Sequence, residues 1–202
     1  MNAALFSFAL ASLLMELTPG PNMAYLAILS AERGRLAGLA GVAGVGIGLL
    51  LLGLLAVFGL GAVVLDNEWL YQSLRWAGIG YVLYLAWETW SESGKPLGAI
   101  KVTEGAGRFF RRGLISNLLN PKAAIFYVTV MPSFLSTNDT GEALVFGAVF
   151  VAVTSLIHAV VVLLAGNLQP VLTAPDRRRQ MGVVFALLLV GIAAWIAFAT
   201  AR

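Results

Sequence analysis

The sequence has no cysteine, a single histidine and few charged residues, and these shortages exclude several classes of protein. Without cysteine there are no disulfides, no thiol catalysis and no thiolate metal sites. Charged residues make up 11% of the 202 residues, whereas soluble domains carry roughly 25%. Hydrophobic residues make up 59% and the mean hydropathy is +0.87. This composition indicates an integral membrane protein.

Sequence motifs for catalysis and for cofactor binding are also missing. There is no His-Glu-x-x-His, no Gly-x-Ser-x-Gly and no phosphate-binding Gly-x4-Gly-Lys-Ser/Thr, and one histidine cannot supply the usual metal cluster. The glycines of Gly44-Val45-Gly46-Ile47-Gly48 follow no strand, so they do not form a dinucleotide loop. The sequence therefore argues against an enzyme and predicts no cofactor and no resident metal.

Six apolar segments are long enough to cross about 30 Å of hydrocarbon, which takes about 20 helical residues. They cover residues 4–30, 37–65, 69–91, 110–136, 142–166 and 180–200. The predicted fold is an all-α integral membrane protein with six transmembrane helices. Arg75 and Glu88 lie near the ends of the third segment, and we expect them to extend toward the membrane surface.

The basic residues fall mainly on one side of these segments. The first, third and fifth connections carry ten of the 13 Lys and Arg residues, and the second and fourth carry none. By the positive-inside rule the odd-numbered connections face the cytoplasm, so both termini face outward. The net charge of +3 comes from these clusters, which act as an orientation signal. Nucleic acid is therefore not expected as a partner.

Proline interrupts the first and fourth segments at matching positions. The motif Leu17-Thr18-Pro19-Gly20-Pro21-Asn22 begins 102 residues before Leu119-Asn120-Pro121-Lys122. Proline removes a backbone donor and clashes with the preceding turn, so both helices should be broken there. Backbone groups freed within a membrane need partners inside the protein. A matched pair of breaks therefore indicates the central site of a secondary transporter.

The breaks belong to a weak internal repeat. At the same offset Tyr25 pairs with Tyr127, and small length drifts pair Gly44 with Gly147. Each half holds three segments, so the second half enters the membrane from the opposite side and the repeat is inverted. The single membrane domain then divides into a first three-helix repeat, a cytoplasmic linker and a second three-helix repeat, over residues 1–91, 92–109 and 110–202.

A helix that begins after a break has unsatisfied N–H groups and a positive dipole end, which attracts anions. Two such ends suit the carboxylate of a small zwitterionic substrate, and nearby polar side chains add hydrogen-bonding groups. The candidate substrate-binding residues are Thr18, Pro19, Gly20, Pro21, Asn22, Asn117, Asn120, Pro121 and Lys122.

Three ionisable residues, Glu16, Lys122 and His158, lie well inside apolar segments, where charge is costly and usually functional. Lys122 either holds the substrate carboxylate or forms a buried pair with Glu16. In a third arrangement Glu16 is exchanged between Lys122, a proton and the substrate ammonium. His158 either carries a proton in a coupled cycle or is a packed core residue. Glu16 and His158 are therefore the candidates for proton coupling.

Three groups of motifs resemble the LysE/RhtB family of amino-acid exporters. They are Thr18-Pro19-Gly20-Pro21-Asn22 with Gly34-Arg35 and Gly38, then Gly78-Ile79-Gly80-Tyr81-Val82-Leu83-Tyr84-Leu85, and lastly Phe110-Arg111-Arg112-Gly113-Leu114 through Asn120-Pro121-Lys122-Ala123 with Pro132-Ser133-Phe134. The resemblance implies a six-helix secondary carrier in a bacterial inner membrane. It implies export of amino acids or their derivatives, in exchange for protons and by alternating access.

Two other interpretations remain open at this point: an exporter of metal cations and an intramembrane enzyme. A metal site would want clustered carboxylates or thiolates, and an enzyme would need a nucleophile with a base. Membrane lipid is an expected partner. The sequence leaves open which amino acid is carried and whether the chain forms a homo-oligomer.

Overall fold

The computed structural model describes residues 2–18, 20–59, 63, 66–93, 105–136, 140–169 and 175–199. All regular structure in these residues is helical. The helices are α1 (Asn2–Leu17), α2 (Pro21–Arg33), α3 (Arg35–Val57), α4 (Glu68–Ser93), α5 (Ala106–Leu118), α6 (Pro121–Ile125), α7 (Thr140–Ala165) and α8 (Pro175–Ala199). A π turn, Phe126–Val130, and a 3-10 turn, Met131–Phe134, continue α6, and the 3-10 turn Gly166–Leu168 follows α7.

Among the described residues, α3, α7 and α8 are each long and apolar enough to cross a membrane. The number of such spans rises from three to five if each of two bent helix pairs counts as one span. Many exposed side chains on these helices are large and apolar, such as Leu51, Leu156 and Leu187, as expected for surfaces that face lipid. The predicted all-α membrane protein is therefore confirmed. Helix α4, with 26 residues, is long enough to cross a membrane, but it is not among the helices that are both long and apolar enough.

Both bent pairs turn at the proline motifs. Helices α1 and α2 differ in direction by 62°, and α5 differs by 52° from the helical run Pro121–Phe134. Pro21 and Pro121 are the first residues of α2 and α6, where a helix makes no use of the missing N–H. Pro19 lies outside the described residues. The helical run Pro121–Phe134 widens into the π turn Phe126–Val130 directly before the 3-10 turn that contains Pro132. Pro132 has no N–H to donate to the preceding helical turn, so the regular hydrogen-bond pattern is interrupted there.

Helices α3 and α5 pack backbone to backbone through glycine. A β-carbon on Gly44 would overlap the carbonyl oxygen of Phe110, and a β-carbon on Gly113 would overlap that of Gly41. Small residues let membrane helices approach this closely. The contact fixes α5 along α3, and it thereby sets the position of the second break.

The second predicted segment extended to residue 65, but α3 ends at Val57. Gly59 has a φ of 78°, in the left-handed region that favours glycine, and its N–H bonds to the carbonyl of Ala56 at 2.9 Å. Such a glycine is a common helix stop. The predicted boundary was wrong because an apolar run does not reveal where a helix terminates.

Phenylalanine rings attach α1 to the second half of the molecule. Phe8 of α1 is fully buried, and its ring centroid lies 5.6 Å from that of Phe126, 5.4 Å from Phe134 and 5.0 Å from Phe146. Buried aromatic pairs at these spacings add stability beyond their buried area. This packing holds the first half of α1 against the helical turns that follow α6 and against α7.

Arg75 and Glu88, which the sequence led us to expect near the membrane surface, are buried against other helices. Each is only 8% exposed. Arg75 donates to the carbonyl oxygen of Ala197 on α8, and Glu88 accepts from both Arg108 and Arg112 of α5. Buried charges are tolerated when they are paired and hydrogen-bonded. These contacts tie α4 to α8 and to α5.

Candidate functional site

Lys122 connects the two breaks. Its ammonium nitrogen, Nζ, donates to the carbonyl oxygens of Met15 and Thr18, each at 2.8 Å. The last carbonyls of a helix have no partner within it and form the negative end of its dipole. Lys122 therefore caps the end of α1, and its side chain passes Gly20, where a β-carbon would lie 3.5 Å from Nζ.

The Lys122 ammonium has three N–H donors. Two are used by the carbonyls of Met15 and Thr18, and in the part of the chain that the structure describes the third has no partner. A donor with a full positive charge is thus open to an acceptor at the junction of the breaks.

Polar side chains from both bent pairs meet next to this junction. Asn22 donates from Nδ2 to Oδ1 of Asn117 at 2.8 Å, and Ser116 donates from Oγ to Oδ1 of Asn22 at 2.8 Å. All three residues are buried. The bonds hold the first turn of α2 against the last turn of α5. Over the described residues, Nδ2 of Asn117 has no acceptor.

The two helix starts after the breaks differ. At α6, Oδ1 of Asn120 accepts the backbone N–H of Lys122 at 3.1 Å, which is the usual capping arrangement. At α2 the corresponding residue is Gly20, which has no side chain to cap the helix. The positive end of α2 is therefore open to an anion, whereas that of α6 is partly satisfied by its own chain.

A cavity of about 350 Å³ lies at the junction. It is lined by Met15, Pro21, Asn120, Pro121, Lys122, Ile125, Phe126, Val130, Trp195 and Ile196. Its polar residues come from the second break, and its apolar residues come from α1, from the run after Pro121 and from α8. A second groove of about 550 Å³ lies along α2 and α8 and shares Trp195 with the first.

Glu16 and His158 face each other inside the bundle. Nε2 of His158 lies 3.4 Å from Oε2 of Glu16, and the two residues are 2% and 7% exposed. Glu16 does not form an ion pair with Lys122 within 4.0 Å, although both residues are described. Within the described chain, Nδ1 of His158 and the hydroxyl of Thr154, one turn away, have no partner. A carboxylate and an imidazole at this distance can take up or share a proton.

The structure gathers most of the predicted substrate-binding residues around one junction. Pro21, Asn120, Pro121 and Lys122 line the cavity, Gly20 contacts Lys122, and Thr18 contributes its backbone carbonyl. Asn22 and Asn117 bond to each other beside it. Pro19 lies outside the described residues. Within the described ranges no three His, Asp or Glu side chains group as metal ligands do.

Sequence reasoning missed three contributors to this region: Ser116, the carbonyl of Met15, and Trp195. Ser116 had a signal, because it adjoins Asn117 in a short polar stretch of an apolar segment. A backbone carbonyl carries no sequence signal at all. Trp195 lies on α8, remote in sequence from both breaks, and only the packing of that helix brings it to the cavity.

Comparison with known proteins gives consistent matches over nearly the whole chain. The model of the LysE type translocator family matches residues 13–200. A homoserine/homoserine lactone efflux protein of Salmonella typhimurium is 27% identical over 201 residues, which cover 96% of each chain. A leucine efflux protein of Salmonella choleraesuis is 28% identical over 200 residues, covering 95% of this chain and 93% of the relative. No solved structure matches.

Proposed function

The chain belongs to the LysE type translocator family, and from this premise we propose that it exports an amino acid or amino-acid derivative from the bacterial cytoplasm. It is a membrane transporter and not an enzyme. The names of its relatives refer to efflux of homoserine, its lactone and leucine. The observation that carries the proposal is the Lys122 ammonium, with one free donor, at the junction of two bent helix pairs.

In this proposal the substrate carboxylate binds the free donor of Lys122 and the uncapped start of α2. Both are positive, and both adjoin the same cavity. The free Nδ2 of Asn117 and the amide of Asn120 supply further hydrogen bonds. An ammonium and a helix start in a partly buried site attract a carboxylate more strongly than they would in bulk water.

The proposed transport cycle is alternating access by two inverted three-helix repeats. Each repeat would contain one bent pair and two further helices, with the fixed site where the pairs cross. Two features support this arrangement: the bends of 62° and 52° occur next to the matching motifs, and Tyr25 and Tyr127, which the repeat pairs, are both buried.

Labelled substrate counterflow in liposomes tests the proposed function. Purified protein is reconstituted with an unlabelled amino acid inside, and uptake of the labelled form is measured for a panel of amino acids. We expect exchange for at least one neutral member of the panel. Flux of divalent metal ions with no amino-acid exchange would instead support a metal exporter, and a chemically altered product would support an enzyme.

The proposed location is the cytoplasmic membrane, with both termini outside. We expect a cysteine at Gly105 to react with an impermeant maleimide only in inverted vesicles, and a cysteine at Asp66 to react in intact cells. Both positions are exposed, a β-carbon at Gly105 meets nothing within 4 Å, and the chain has no cysteine of its own. The opposite labelling pattern would reverse the orientation derived from the positive-inside rule.

The proposed coupling ion is a proton carried by the Glu16–His158 pair. Lys122 is the other charged group that adjoins the pair, because its ammonium bonds to the carbonyl of Met15. With a lumen one pH unit more acidic than the bath and the membrane potential held at zero, one-for-one exchange should concentrate substrate about tenfold in the lumen, since one pH unit is worth about 1.4 kcal/mol.

We expect His158→Gln to lose this accumulation while keeping most counterflow, because the variant has no imidazole to protonate and counterflow needs no net proton movement. Thr154→Val is the matched control. It is nearly isosteric, one turn away on the same helix, and removes a hydroxyl that bonds to nothing among the described residues. Accumulation by His158→Gln equal to that of the control would remove His158 from the coupling mechanism.

A further inference from the structure

The cavity beside Lys122 has one polar end and an apolar body. Lys122 and Asn120 form the polar end, where the carboxylate of an amino acid would bind. Apart from prolines, the rest of the lining is hydrocarbon, aromatic ring and thioether, from Met15, Ile125, Phe126, Val130, Trp195 and Ile196. The lining residues that the structure describes include no acidic side chain.

We propose that this cavity receives the substrate side chain, and that the preferred substrate is an amino acid with an apolar side chain of leucine size. The inference rests on the proposed export function and narrows its substrate class. At about 350 Å³ the cavity lies near the lower limit of small-molecule sites, which run from about 300 to 1,000 Å³. That volume suits a single amino acid.

The lining discriminates between substrates because it offers few partners to a polar or charged substrate side chain. The apolar body offers a hydroxyl no carboxylate, amide or hydroxyl side chain among the described lining residues, and a hydroxyl that loses its bonds to water without a new partner costs about 1–3 kcal/mol. That cost corresponds to roughly 5- to 150-fold weaker binding. A cationic side chain would lack a counter-charge and would face the Lys122 ammonium. Leucine should therefore be preferred over homoserine, and both over lysine.

Trp195 lines two spaces at once. It contributes to the lining of the cavity and also to that of the groove along α2 and α8. Arg75 fixes this end of α8 by donating to the carbonyl of Ala197, two residues further on. Removal of the indole would join the cavity to the groove and admit longer side chains.

The first test measures how well different amino acids compete for transport by the wild-type protein in liposomes. Unlabelled leucine, isoleucine, methionine, homoserine, lysine and glutamate compete with labelled leucine in counterflow. We expect the three apolar amino acids to compete at least about tenfold more strongly than homoserine. Homoserine or lysine competing as well as leucine would overturn the inference and leave the export function intact. Absence of counterflow with every amino acid would overturn the export function and the inference together.

The second test changes the depth and the polarity of the cavity. Trp195→Ala should improve competition by phenylalanine relative to leucine about tenfold, whereas the control Trp69→Ala, at a tryptophan that is 84% exposed, should leave the ranking unchanged. Val130→Thr keeps the side-chain shape but adds a hydroxyl, and it should narrow the preference for leucine over homoserine by about 2- to 10-fold.

An unchanged ranking in both cavity variants would mean that the substrate side chain does not occupy this space, and it would overturn the inference. Size-exclusion chromatography in detergent establishes that each variant is folded before its ranking is measured. The wild-type competition does not depend on either variant.

Discussion

Lys122→Met is expected to reduce counterflow by more than about 100-fold while the protein remains folded and inserted. The substitution keeps a long, flexible side chain but removes the charge and all three donors. Each hydrogen bond to a charged group contributes about 1.5–3 kcal/mol, and at least one such bond to the substrate carboxylate is lost together with the caps on Met15 and Thr18. Initial rates in liposomes at matched protein levels measure the effect.

Arg111→Met is the control, because Arg111 is an exposed cation on α5. It should leave counterflow within about twofold, as expected for a surface charge. Full activity of Lys122→Met would end the proposal that Lys122 binds the carboxylate.

The double variant Glu16→Gln with Lys122→Met distinguishes two roles of Lys122: binding the substrate carboxylate and neutralising Glu16. If Lys122 served only to neutralise Glu16, the double change would leave no unbalanced charge and would recover transport. We expect no recovery, because Glu16 contacts His158 and Lys122 contacts backbone carbonyls. Recovery in the double variant, but in neither single one, would assign both residues to a structural role.

Gly44→Ala is expected to give the largest loss of stability from a single added carbon. The new β-carbon would overlap the carbonyl oxygen of Phe110 in α5, a backbone atom that no rotamer change can move aside. Overpacking costs about 1–3 kcal/mol even where side chains can adjust. A loss of about 3 kcal/mol corresponds to a Tm lower by about 6–12 °C for a chain of this size.

Gly80→Ala provides the matched comparison, because the added carbon on α4 has no neighbour within 4 Å. Alanine also has the better helix propensity, so the Tm of this variant should be unchanged or slightly higher. Thermal unfolding of both proteins in the same detergent is the measurement. Equal Tm values would show that α3 and α5 do not depend on the close contact.

Proline has a local effect, so the sequence predicts breaks at the motifs around Pro21 and Pro121, and a helix pair bends next to each motif. The cost of burying charge makes Glu16, Lys122 and His158 candidate functional residues. The partners of those residues could not be predicted. Lys122 caps backbone carbonyls, which every residue has, so the sequence does not single them out. The contact of Glu16 with His158 depends on how α1 packs on α7.

Local rules also failed where packing decides the outcome. Arg75 and Glu88 looked like surface anchors because each lies near the end of an apolar segment. The structure buries both, because α8 offers a carbonyl to one and α5 offers two guanidinium groups to the other. A single sequence does not reveal which helix will lie beside which.

In the proposed mechanism the Lys122 ammonium has two roles: it caps the end of α1, and it binds the substrate carboxylate. A carboxylate that draws Lys122 toward itself competes with the carbonyls of Met15 and Thr18, which hold the last turn of α1. Such competition is reciprocal: by whatever factor the bound carboxylate loosens that turn, loosening of the turn changes carboxylate affinity by the same factor. Glu16 lies on the same turn, facing His158. In the proposed mechanism, unwinding of the last turn of α1 would therefore change the binding of the carboxylate and the protonation of the Glu16–His158 pair together.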